Sequence, residues 1–472
     1  MSGTSRRDFL AAGLIGAGAI SLGLFHYARR GAAQVGAAIP ESMGPLRVTA
    51  DETTGLGLLR LPEGFRYHSM SWAGTPLHDG RTVPGSADGM GVVDQQGDRV
   101  TLVRNHELQG ASGPIGDPSH SYDNMPGGTT TLVFDTGREA LVDSWVSLSG
   151  TLYNCAGGVT PWGTWLSCEE GPHSPALAKL PKPRKQLYWD IDQARREHGF
   201  VFEVPATGVA RPEPIYAMGQ FYHEAVAFDP ATGIAYLTED NGPNAGFYRF
   251  LPAEPGHLQG GGRLQMMRVD QRPDMTDYLR IGQEMGVDWV DIPDPTRGFT
   301  SANRNADGVS AQGLAGGASR FVALEGCCFS DGVVYFTSKL GGPAMAGYVY
   351  AYEPARETIS LVYESEGHDV FSGPDNIVVS PRGALVICED RLSKNTAAQS
   401  VCGLTQDGEF FRFCQINPDL RGDFAGHDLA DTALNSEWAG ATFSRDGDWL
   451  FLNIYSPGVT LAITGPWQEG YV

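Results

Sequence analysis

The 472-residue sequence predicts an all-β fold, specifically a six-bladed β-propeller with insertions between the blades. Two observations on pattern support this prediction: a unit of two apolar runs joined by a turn recurs six times, and polar residues stand at the same places in each unit. A third is composition, because 62 Gly and 30 Pro suit a chain of many short strands and many turns.

Each unit has a polar residue, an apolar run, a turn with glycine, and a second apolar run that ends in polar residues. In the first unit, Asp88 precedes the first run, Gly97 lies in the turn, and the second run leads to Glu107. This pattern is typical of a β-hairpin. The units open at Asp88, Asn154, Glu224, Glu325, Asp375 and Glu437. Their starts are 66, 70, 101, 50 and 62 residues apart, which indicates an array of similar sheets.

In a propeller, the first strand of each blade lines a central channel, so the opening residues of the units are expected to form a ring at its mouth. The closing residues are expected on the neighbouring strands at the same end, and they are Glu107, Glu170, Glu239 and Glu389. Crowded carboxylates are costly to bury unless cations neutralise them. A single acid beside a turn is as often a solvated turn residue or a cap, but the shared phase of six units favours a metal site.

The composition narrows the class of protein and the number of domains. Lys+Arg 34 against Asp+Glu 55 gives a net charge of −21, which argues against nucleic-acid binding and against adhesion to anionic membranes. The same charge suits a protein that holds divalent cations. The length allows two or three domains, but the repeats run from about residue 88 to 453 without a linker, so residues 34–472 are predicted to form a single propeller domain. The long insertions, at 172–198 and 259–317, are expected to be lids or binding loops.

Residues 1–33 are predicted to be a twin-arginine signal peptide. Arg6 and Arg7 precede an apolar run from Ala11 to Phe25, and small residues that suit cleavage follow. The alternative is a chance Arg-Arg pair before an apolar helix. The prediction implies a passage through the twin-arginine export machinery and a periplasmic or secreted mature protein without a membrane anchor. Because this machinery carries folded proteins, it fits a metal loaded before export.

Seven cysteines leave at least one thiol unpaired if the others form disulfides. Cys155 is the candidate for the unpaired thiol, because it lies at the predicted ring and a thiolate is a good ligand for iron or zinc. Cys402 and Cys414 flank a turn and could bridge a hairpin.

Four motifs resemble the PhoX family of exported phosphatases, and the resemblance covers nearly the whole mature chain. The motifs are Asn154–Glu170, Arg104–Glu107, Phe221–Glu224 and Ser372–Asn376. The resemblance implies a six-bladed propeller, twin-arginine export, and hydrolysis of phosphate monoesters at alkaline pH with iron and calcium at one end of the channel. Matched motif by motif, it implies Cys155 as the thiolate ligand of iron. The carboxylate ligands that it implies are Glu107, Glu170, Glu224, Glu325 and Asp375.

This ligand set agrees with the ring derived from the repeats. Iron accepts thiolate and carboxylate ligands, whereas calcium takes six to eight oxygens. Such a cluster would neutralise and polarise a phosphoryl group. One departure concerns Ala323, two residues before Glu325, where the family pattern has an arginine that would bind the substrate phosphate.

Three cations are candidates to replace that arginine, namely Arg391, Lys339 and Arg104, although each is equally a surface charge or a partner of the carboxylates. The residues predicted to act on the substrate are Asn105 and Arg391. The histidines of the motifs, His106 and His223, are more typical of supporting or core residues than of direct ligands.

Three classes of function remain open at this point. The first is a metal-dependent phosphatase acting on a small-molecule phosphoester, expected to be a monomer. The second is another calcium-dependent propeller hydrolase, such as a lactonase, and the third is a non-catalytic metal-binding propeller. Iron content separates the first from the second, and turnover of any ester separates both from the third. The sequence has no Gly-x-Ser-x-Gly elbow and no phosphate-binding loop of the Walker type.

Overall fold

The computed structural model describes residues 41–110, 112–177, 193–276, 278–300, 305–391 and 398–472. The predicted signal peptide lies outside these residues. In chain order the strands are β1 (Arg47–Thr49), β2 (Leu59–Leu61), β3 (Arg66–Met70), β4 (Ala87–Gln96), β5 (Arg99–His106), β6 (Gly127–Asp135), β7 (Ala140–Thr151), β8 (Asn154–Val159), β9 (Thr164–Glu169), β10 (Val201–Pro205), β11 (His223–Phe228), β12 (Ala235–Glu239), β13 (Phe247–Pro252), β14 (Gly262–Val269), β15 (Met285–Asp291), β16 (Leu324–Ser330), β17 (Val333–Ser338), β18 (Tyr348–Glu353), β19 (Thr358–Glu364), β20 (Pro374–Val379), β21 (Leu385–Glu389), β22 (Ser400–Leu404), β23 (Phe410–Ile416), β24 (Asp423–Phe424), β25 (His427–Asp428), β26 (Trp438–Phe443), β27 (Leu450–Ile454) and β28 (Val459–Thr464).

Helices are few and short. The α-helices of the described residues are α1 (Gly308–Ala315) and α2 (Leu429–Asn435). Single 3-10 turns lie at Pro118–His120, Pro175–Leu177, Tyr216–Met218, Gly242–Asn244 and Leu258–Gly260. In the part of the chain that the structure describes, none of the helices has the length and apolar character needed to span a bilayer.

The strands form antiparallel sheets that follow one another along the chain. Two sheets have four strands, in the orders β4-β5-β6-β7 and β26-β27-β28-β3, and a third has the order β8-β9-β10. A six-stranded sheet has the order β20-β21-β22-β23-β2-β1. The largest sheet has nine strands, in the order β11-β12-β13-β14-β15-β19-β18-β17-β16, and a small hairpin joins β24 to β25. The first and last parts of the described chain meet in one sheet, where β3 pairs with β28.

The first strands of the six predicted units form a closed ring. Strands β4, β8, β11, β16, β20 and β26 each contact the next, and β26 contacts β4. This arrangement confirms the prediction of an all-β, propeller-like fold. Six separate sheets are not observed, because β15 pairs with β19 through Met285–Ile359 and Gly286–Thr358 and so joins two groups of strands into one sheet. Strand β15 comes from the long insertion at 259–317, whose pairing the repeat pattern does not indicate.

The apolar core lies between the faces of neighbouring sheets. Phe134 on β6 packs against Trp449 and against Phe451 on β27, with ring centroids 5.1 and 5.6 Å apart. Burial of such side chains stabilises the fold by roughly 1.5–3 kcal/mol each. Packing face to face fixes the sheets around the channel, and it therefore fixes the positions of the residues at the channel mouth.

Candidate metal centre

An irregularity in the first strand of each unit aims the candidate ligands at the channel mouth. All six first strands shift their register against the second strand over a four-residue stretch. The stretches are Ala87–Met90, Asn154–Gly157, His223–Val226, Leu324–Cys327, Pro374–Ile377 and Ala439–Thr442. A bulge adds a residue to one strand and redirects its side chain. On five of the six first strands the residue that follows the start of the bulge is a predicted opening residue or its neighbour, and we call it the bulge residue: Asp88, Cys155, Glu224, Glu325 and Asp375.

A backbone hydrogen bond places a second set of residues beside the bulges. In each repeat unit, the donor is the N–H of the residue that follows the second strand. The acceptor is a carbonyl oxygen on the side of the first strand, two residues before the bulge residue, and the N–O distances are 2.8–3.2 Å. The pairs are Glu107–Ser86, Glu170–Tyr153, Asp240–Tyr222, Lys339–Ala323, Asp390–Gly373 and Tyr455–Glu437. We call these donors the second ring. Four of the six are acidic, one is a lysine and one is a tyrosine.

The same hydrogen bond corrects the prediction for the sixth unit. Glu437 is the acceptor and not the bulge residue, which is Ala439. Glycine positions agree, because a Cβ on Gly440 would lie 2.7 Å from the carbonyl oxygen of Asp88, much as one on Gly326 would lie 2.6 Å from that of Asp375. The ring of bulge residues therefore has five candidate ligands and an alanine.

The candidate ligands form three groups of three residues. Within each group, the ligand atoms lie within 4.8 Å of one another. The groups are Asp88–Glu107–Cys155, Cys155–Glu170–Glu224 and Glu224–Glu325–Asp375. Cys155 and Glu224 each belong to two groups, so the seven residues form one continuous set. The structure thus brings together all six residues predicted as metal ligands and adds Asp88, an opening residue of the repeat pattern.

The electrostatics are those of carboxylates held together without cations. Glu224 is 1% exposed and Glu325 is 2% exposed. Burial raises the pKa of Glu107 to about 7, and burial together with neighbouring carboxylates raises the pKa of Glu170 and Glu224 well above the ordinary range. Asp88 and Glu325 are shifted in the same direction, again mainly by desolvation. Protons therefore neutralise the centre where cations do not.

Two observations test whether these residues suit metal ions. The thiol of Cys155 lies 2.9 Å from Oε1 of Glu224 and 3.6 Å from Oδ2 of Asp88. The other oxygen of Glu224, Oε2, is buried and has no hydrogen-bond partner among the described residues. A buried carboxylate oxygen without a donor is expensive unless a cation meets it. The donor set also fits: thiolate with carboxylates suits iron, and carboxylates alone suit calcium.

Asn105, predicted to act on the substrate, uses both ends of its amide inside the fold. Its Nδ2 donates to the carbonyl oxygens of Cys155 and Ala156, at 3.1 and 2.6 Å. Its Oδ1 accepts from Trp165 and Ser167, both at 2.9 Å. Asn105 is fully buried, so the structure places it beneath the Cys155 bulge.

Other sheets have the same contact, which the sequence analysis did not identify. A polar side chain two residues before the second-ring residue donates to the carbonyl oxygen of the next bulge residue. These contacts are Thr238 to Glu325 at 2.5 Å, Thr337 to Asp375 at 2.8 Å and Asn453 to Asp88 at 2.5 Å. The signal was present in the sequence, because these residues share one position of the repeat unit.

The predicted closing residues Glu239 and Glu389 have a different task from that expected. The carboxylate of Glu239 accepts from the N–H of Gly246 at 2.8 Å and from the hydroxyl of Tyr248 at 2.6 Å. Glu389 accepts from the N–H groups of Ser372 and Ser400, at 3.1 and 2.9 Å. Both carboxylates tie loops to the ends of second strands. The residues that follow them, Asp240 and Asp390, take the second-ring positions instead.

The three candidate cations differ sharply in their surroundings. Nε of Arg391, the predicted substrate-binding arginine, lies 2.7 Å from Oε1 of Glu389, and the side chain is 4% exposed. Arg104 is fully buried and donates to the carbonyl oxygen of Ser71 and to the hydroxyl of Thr460. Of the three, Lys339 is the one that contacts candidate ligands, since its Nζ lies 3.4 Å from Asp375 and 3.7 Å from Glu325.

Below the ring, the channel contains a cavity of about 220 Å³. The residues that follow the five bulge residues Asp88, Cys155, Glu224, Glu325 and Asp375 line it together with Ala441, and they are Gly89, Ala156, Ala225, Gly326 and Asn376. A Cβ on Gly89 would lie only 2.5 Å from the Cα of Ala156, so glycine is required where these strands meet. Small residues let the first strands approach closely, and this proximity brings ligands from five of the six repeat units within reach of common ions.

The cysteines outside the centre are unpaired as well. All seven are free thiols, so Cys402 and Cys414 do not form the bridge considered from the sequence. On their strands, Cys402 pairs with Arg412 and Cys414 with Val401.

Fold and site together define a propeller-like all-β protein with a thiol-containing, acidic candidate metal centre at the channel mouth. The chain matches the model of the alkaline phosphatase PhoX family over residues 42–133 and 125–458, and it therefore belongs to this family. The prediction of the family from four motifs is confirmed, and with it that of an enzyme of the phosphoric monoester hydrolase class.

A solved structure shows the same fold, and a second one matches at a lower TM-score. Pseudomonas fluorescens PhoX, in complex with the transition-state analogue vanadate, is 17% identical and superposes with a TM-score of 0.60, covering 90% of this chain and 98% of that chain. A gluconolactonase from Xanthomonas campestris is 13% identical with a TM-score of 0.42, covering 92% of this chain and 99% of that one. Among curated proteins no match was found.

Proposed function

We propose that this protein is a metal-dependent hydrolase of phosphate monoesters, active at alkaline pH, with iron and calcium held at the channel mouth. The observation that carries the proposal is the continuous set of buried ligands in a chain of the alkaline phosphatase PhoX family. The lactonase and the non-catalytic propeller have no comparable support, because neither explains a thiol shared by two ligand groups.

The ligands of the proposed cluster are the six residues predicted from the sequence, together with Asp88. Cys155 is the iron ligand, since it is the thiol of the set and belongs to two of the three groups. Glu107, Glu170 and Glu224 complete those groups, and Glu325 and Asp375 extend the cluster with oxygen ligands that suit calcium. When bound, the ions neutralise the phosphoryl group and polarise it towards attack.

Two residues named as catalytic are better assigned as positioning residues. Asn105 holds the backbone of the Cys155 bulge through both carbonyl oxygens of Cys155 and Ala156. Arg391 neutralises Glu389, which fastens the loop before β20, where Asp375 lies. Both residues keep ligands in place, and neither guanidinium nor amide is left free for a substrate.

The remaining parts of the proposal concern the whole chain. The nine-stranded sheet is two blades joined at the β15–β19 edge, so that six blades surround the channel, one for each first strand in the closed ring. Residues 34–472 make a single propeller domain that acts as a monomer on a small-molecule phosphoester. Residues 1–33 direct the chain to the twin-arginine machinery, and the mature protein works in the periplasm or outside the cell.

The test combines metal analysis with a phosphatase assay on the purified mature protein. With its metals present, wild type should hydrolyse p-nitrophenyl phosphate, and Cys155→Ser should lose iron and at least about 100-fold of the activity, because a hydroxyl is a poor iron ligand. Cys328→Ser is the matched control, since Cys328 is a free thiol outside the three ligand groups. Hydrolysis of a lactone but not of phosphomonoesters by metal-loaded wild type would refute the proposal, and so would unchanged iron in Cys155→Ser.

A further inference from the structure

Lys339 places a positive charge in a ring of acids. It follows directly after β17, and its N–H donates to the carbonyl oxygen of Ala323 at 2.8 Å, so it occupies the second-ring position of its sheet. The corresponding residues of four other repeat units are acidic, and they are Glu107, Glu170, Asp240 and Asp390. A cation thus stands at a position where four of the other five repeats have a carboxylate and the fifth has a tyrosine.

The ammonium group contacts three carboxylates at once. Nζ of Lys339 lies 2.5 Å from Oδ2 of Asp390, 3.4 Å from Oδ2 of Asp375 and 3.7 Å from Oε1 of Glu325. The side chain of Lys339 is 19% exposed, and those of its three partners are 3–13% exposed. Within the described ranges, no other lysine, arginine or histidine forms an ion pair with the seven candidate ligands.

Three carboxylates converging on one point are a typical arrangement for a calcium ion, which takes carboxylate oxygens in flexible geometry. An ammonium group in that position meets the same oxygens with one charge and three N–H donors. A divalent ion that entered among the same three carboxylates would be repelled by the lysine charge at short range in a partly desolvated site. Lysine and a metal ion therefore exclude each other there.

We propose that Lys339 is a built-in cation that takes the place of one divalent ion among Glu325, Asp375 and Asp390. Metal ions then occupy the ligand groups that contain Cys155 and Glu224, and this side of the ring is neutralised by the protein itself. The proposal deepens the proposed function in its metal content, but it depends on the charge and contacts of Lys339 and not on the reaction.

The experiment is a calcium titration of metal-stripped mature protein, followed by elemental analysis, with wild type and two variants. Lys339→Met removes the charge at similar size and should bind about one more calcium ion per chain than wild type. Lys339→Arg keeps the charge and should bind the wild-type number. Arg356→Met is the control for loss of a cation elsewhere, since Arg356 pairs with exposed Glu284, and it should leave calcium binding unchanged.

A second measurement covers the case in which Lys339→Met folds poorly without calcium. Its melting temperature should lie below that of wild type in metal-free buffer and should rise more than that of wild type when calcium is added. Equal calcium counts for wild type and Lys339→Met, or equal melting temperatures of the two in metal-free buffer, would overturn the proposal. A wild type without phosphatase activity that still shows the one-ion difference would refute the proposed function and leave this proposal standing.

Discussion

At the scale of single residues, Glu224 shows how a binding site can conflict with stability. Its Oε1 accepts from the Cys155 thiol, while its buried Oε2 meets no donor among the described residues. The carboxylate is therefore poorly solvated in the metal-free protein and well suited to a cation shared between two ligand groups. A residue that destabilises the free fold is a common mark of a functional site.

Glu224→Gln should raise the stability of the metal-free protein and weaken metal binding, because a neutral amide is less costly to bury but is a poorer ligand. We expect a gain of roughly 1–3 kcal/mol in the metal-free free energy of unfolding. Glu239→Gln is the matched control, because Glu239 is equally buried but accepts from Gly246 and Tyr248, and it should lose stability. Chemical denaturation after metal removal measures both, and a loss of stability in Glu224→Gln would contradict the interpretation.

Ala323 carries the departure from the family pattern, and the structure adds to its interest. Its φ is +40°, its side chain is buried, and its carbonyl oxygen accepts from the N–H of Lys339. A long side chain at this position would start from the residue whose carbonyl oxygen holds the backbone of Lys339. Alanine already bears the strain of the left-handed backbone, so a longer side chain adds little to it.

Ala323→Arg should raise kcat/KM for a phosphomonoester by about ten- to a hundredfold, because a charged hydrogen bond to phosphate contributes roughly 1.5–3 kcal/mol. Ala323→Gln adds similar bulk without the charge and should leave kcat/KM near that of wild type. Steady-state kinetics with p-nitrophenyl phosphate on metal-loaded protein decide the matter. Equal kcat/KM values for the arginine and glutamine variants would show that a charged side chain at position 323 does not contact the phosphate of the substrate.

At the scale of elements, the bulges and the contacts beneath them do what single residues cannot. Each bulge turns a side chain towards the channel. Four of the bulges are fixed by a hydrogen bond from a side chain of the neighbouring repeat unit. Thr337 is the simplest case, since its hydroxyl donates to the carbonyl oxygen of Asp375 at 2.8 Å. Two sheets lack this donor because they carry Cys168 and Cys388 at the position, and there the thiols are buried.

Thr337→Val should lower the free energy of unfolding by about 1–3 kcal/mol, because it leaves the partly buried carbonyl oxygen of Asp375 without its donor at almost unchanged volume. It should also weaken calcium binding through Asp375. Thr337→Ser retains the hydroxyl and should keep most of the calcium affinity. Denaturation curves and calcium titrations of the two variants test this prediction. Identical calcium affinities in both would show that the hydrogen bond of Thr337 does not support calcium binding.

The repeat pattern predicted much at this scale, and its failures have one physical origin. The six hairpins and their phase were predicted from the repeat, because strand–turn–strand periodicity is local, whereas the set of six metal-ligand candidates was implied by the resemblance to the PhoX family. The position of a bulge cannot be predicted from this local periodicity, although one extra residue exchanges the side chains on the two faces of a strand. This is why Glu437 was expected in the place of Ala439, and why Glu239 and Glu389 were expected in the places of Asp240 and Asp390.

Pairings between distant segments were equally beyond the pattern. The pairing of β15 with β19 joins two groups of strands into one sheet. The polar sequence of the insertion at 259–317 does not predict a strand that pairs there. The partner of Arg391 was also hidden, since Glu389 lies two residues away in a strand and its carboxylate turns to the loops. Charge type suggested a phosphate contact for Arg391, and the structure shows an ion pair of its guanidinium with Glu389 that the sequence did not indicate.

At the scale of the whole molecule, closure of the sheets turns separate strand ends into one electrostatic unit. Strand β3 pairs with β28, so that the beginning and the end of the described chain hold the same sheet. The closed ring keeps the carboxylates of five repeat units together even when no cation is bound, and the free energy for this comes from the apolar packing between sheets. Stability should therefore depend on pH and metal together.

The sign of the pH effect follows from Glu107. Desolvation raises the pKa of Glu107 to about 7. The hydrogen bonds with Tyr455 and Glu170 and the charge of Lys339 lower this pKa, while the charge of Asp375 raises it. In the unfolded chain the pKa is 4.5. Below pH 4.5 both states are protonated and the full stability is present. Between pH 4.5 and 7 the folded state keeps a proton that the unfolded state has released, so the free energy of unfolding falls as the pH rises. Glu107 alone accounts for about 3 kcal/mol.

Metal-stripped protein should therefore be more stable at pH 5 than at pH 8, and the stabilisation by added iron and calcium should grow over the same range. The ions replace the protons, so they bind more tightly once the carboxylates and the Cys155 thiol are ionised. Melting temperatures at pH 5, 6, 7 and 8, with and without metals, measure both effects. Glu107→Gln should flatten the pH dependence of the stripped protein, because the amide does not titrate. A stripped protein whose melting temperature rises from pH 5 to pH 8 would show that the buried carboxylates are already ionised and neutralised by the protein alone.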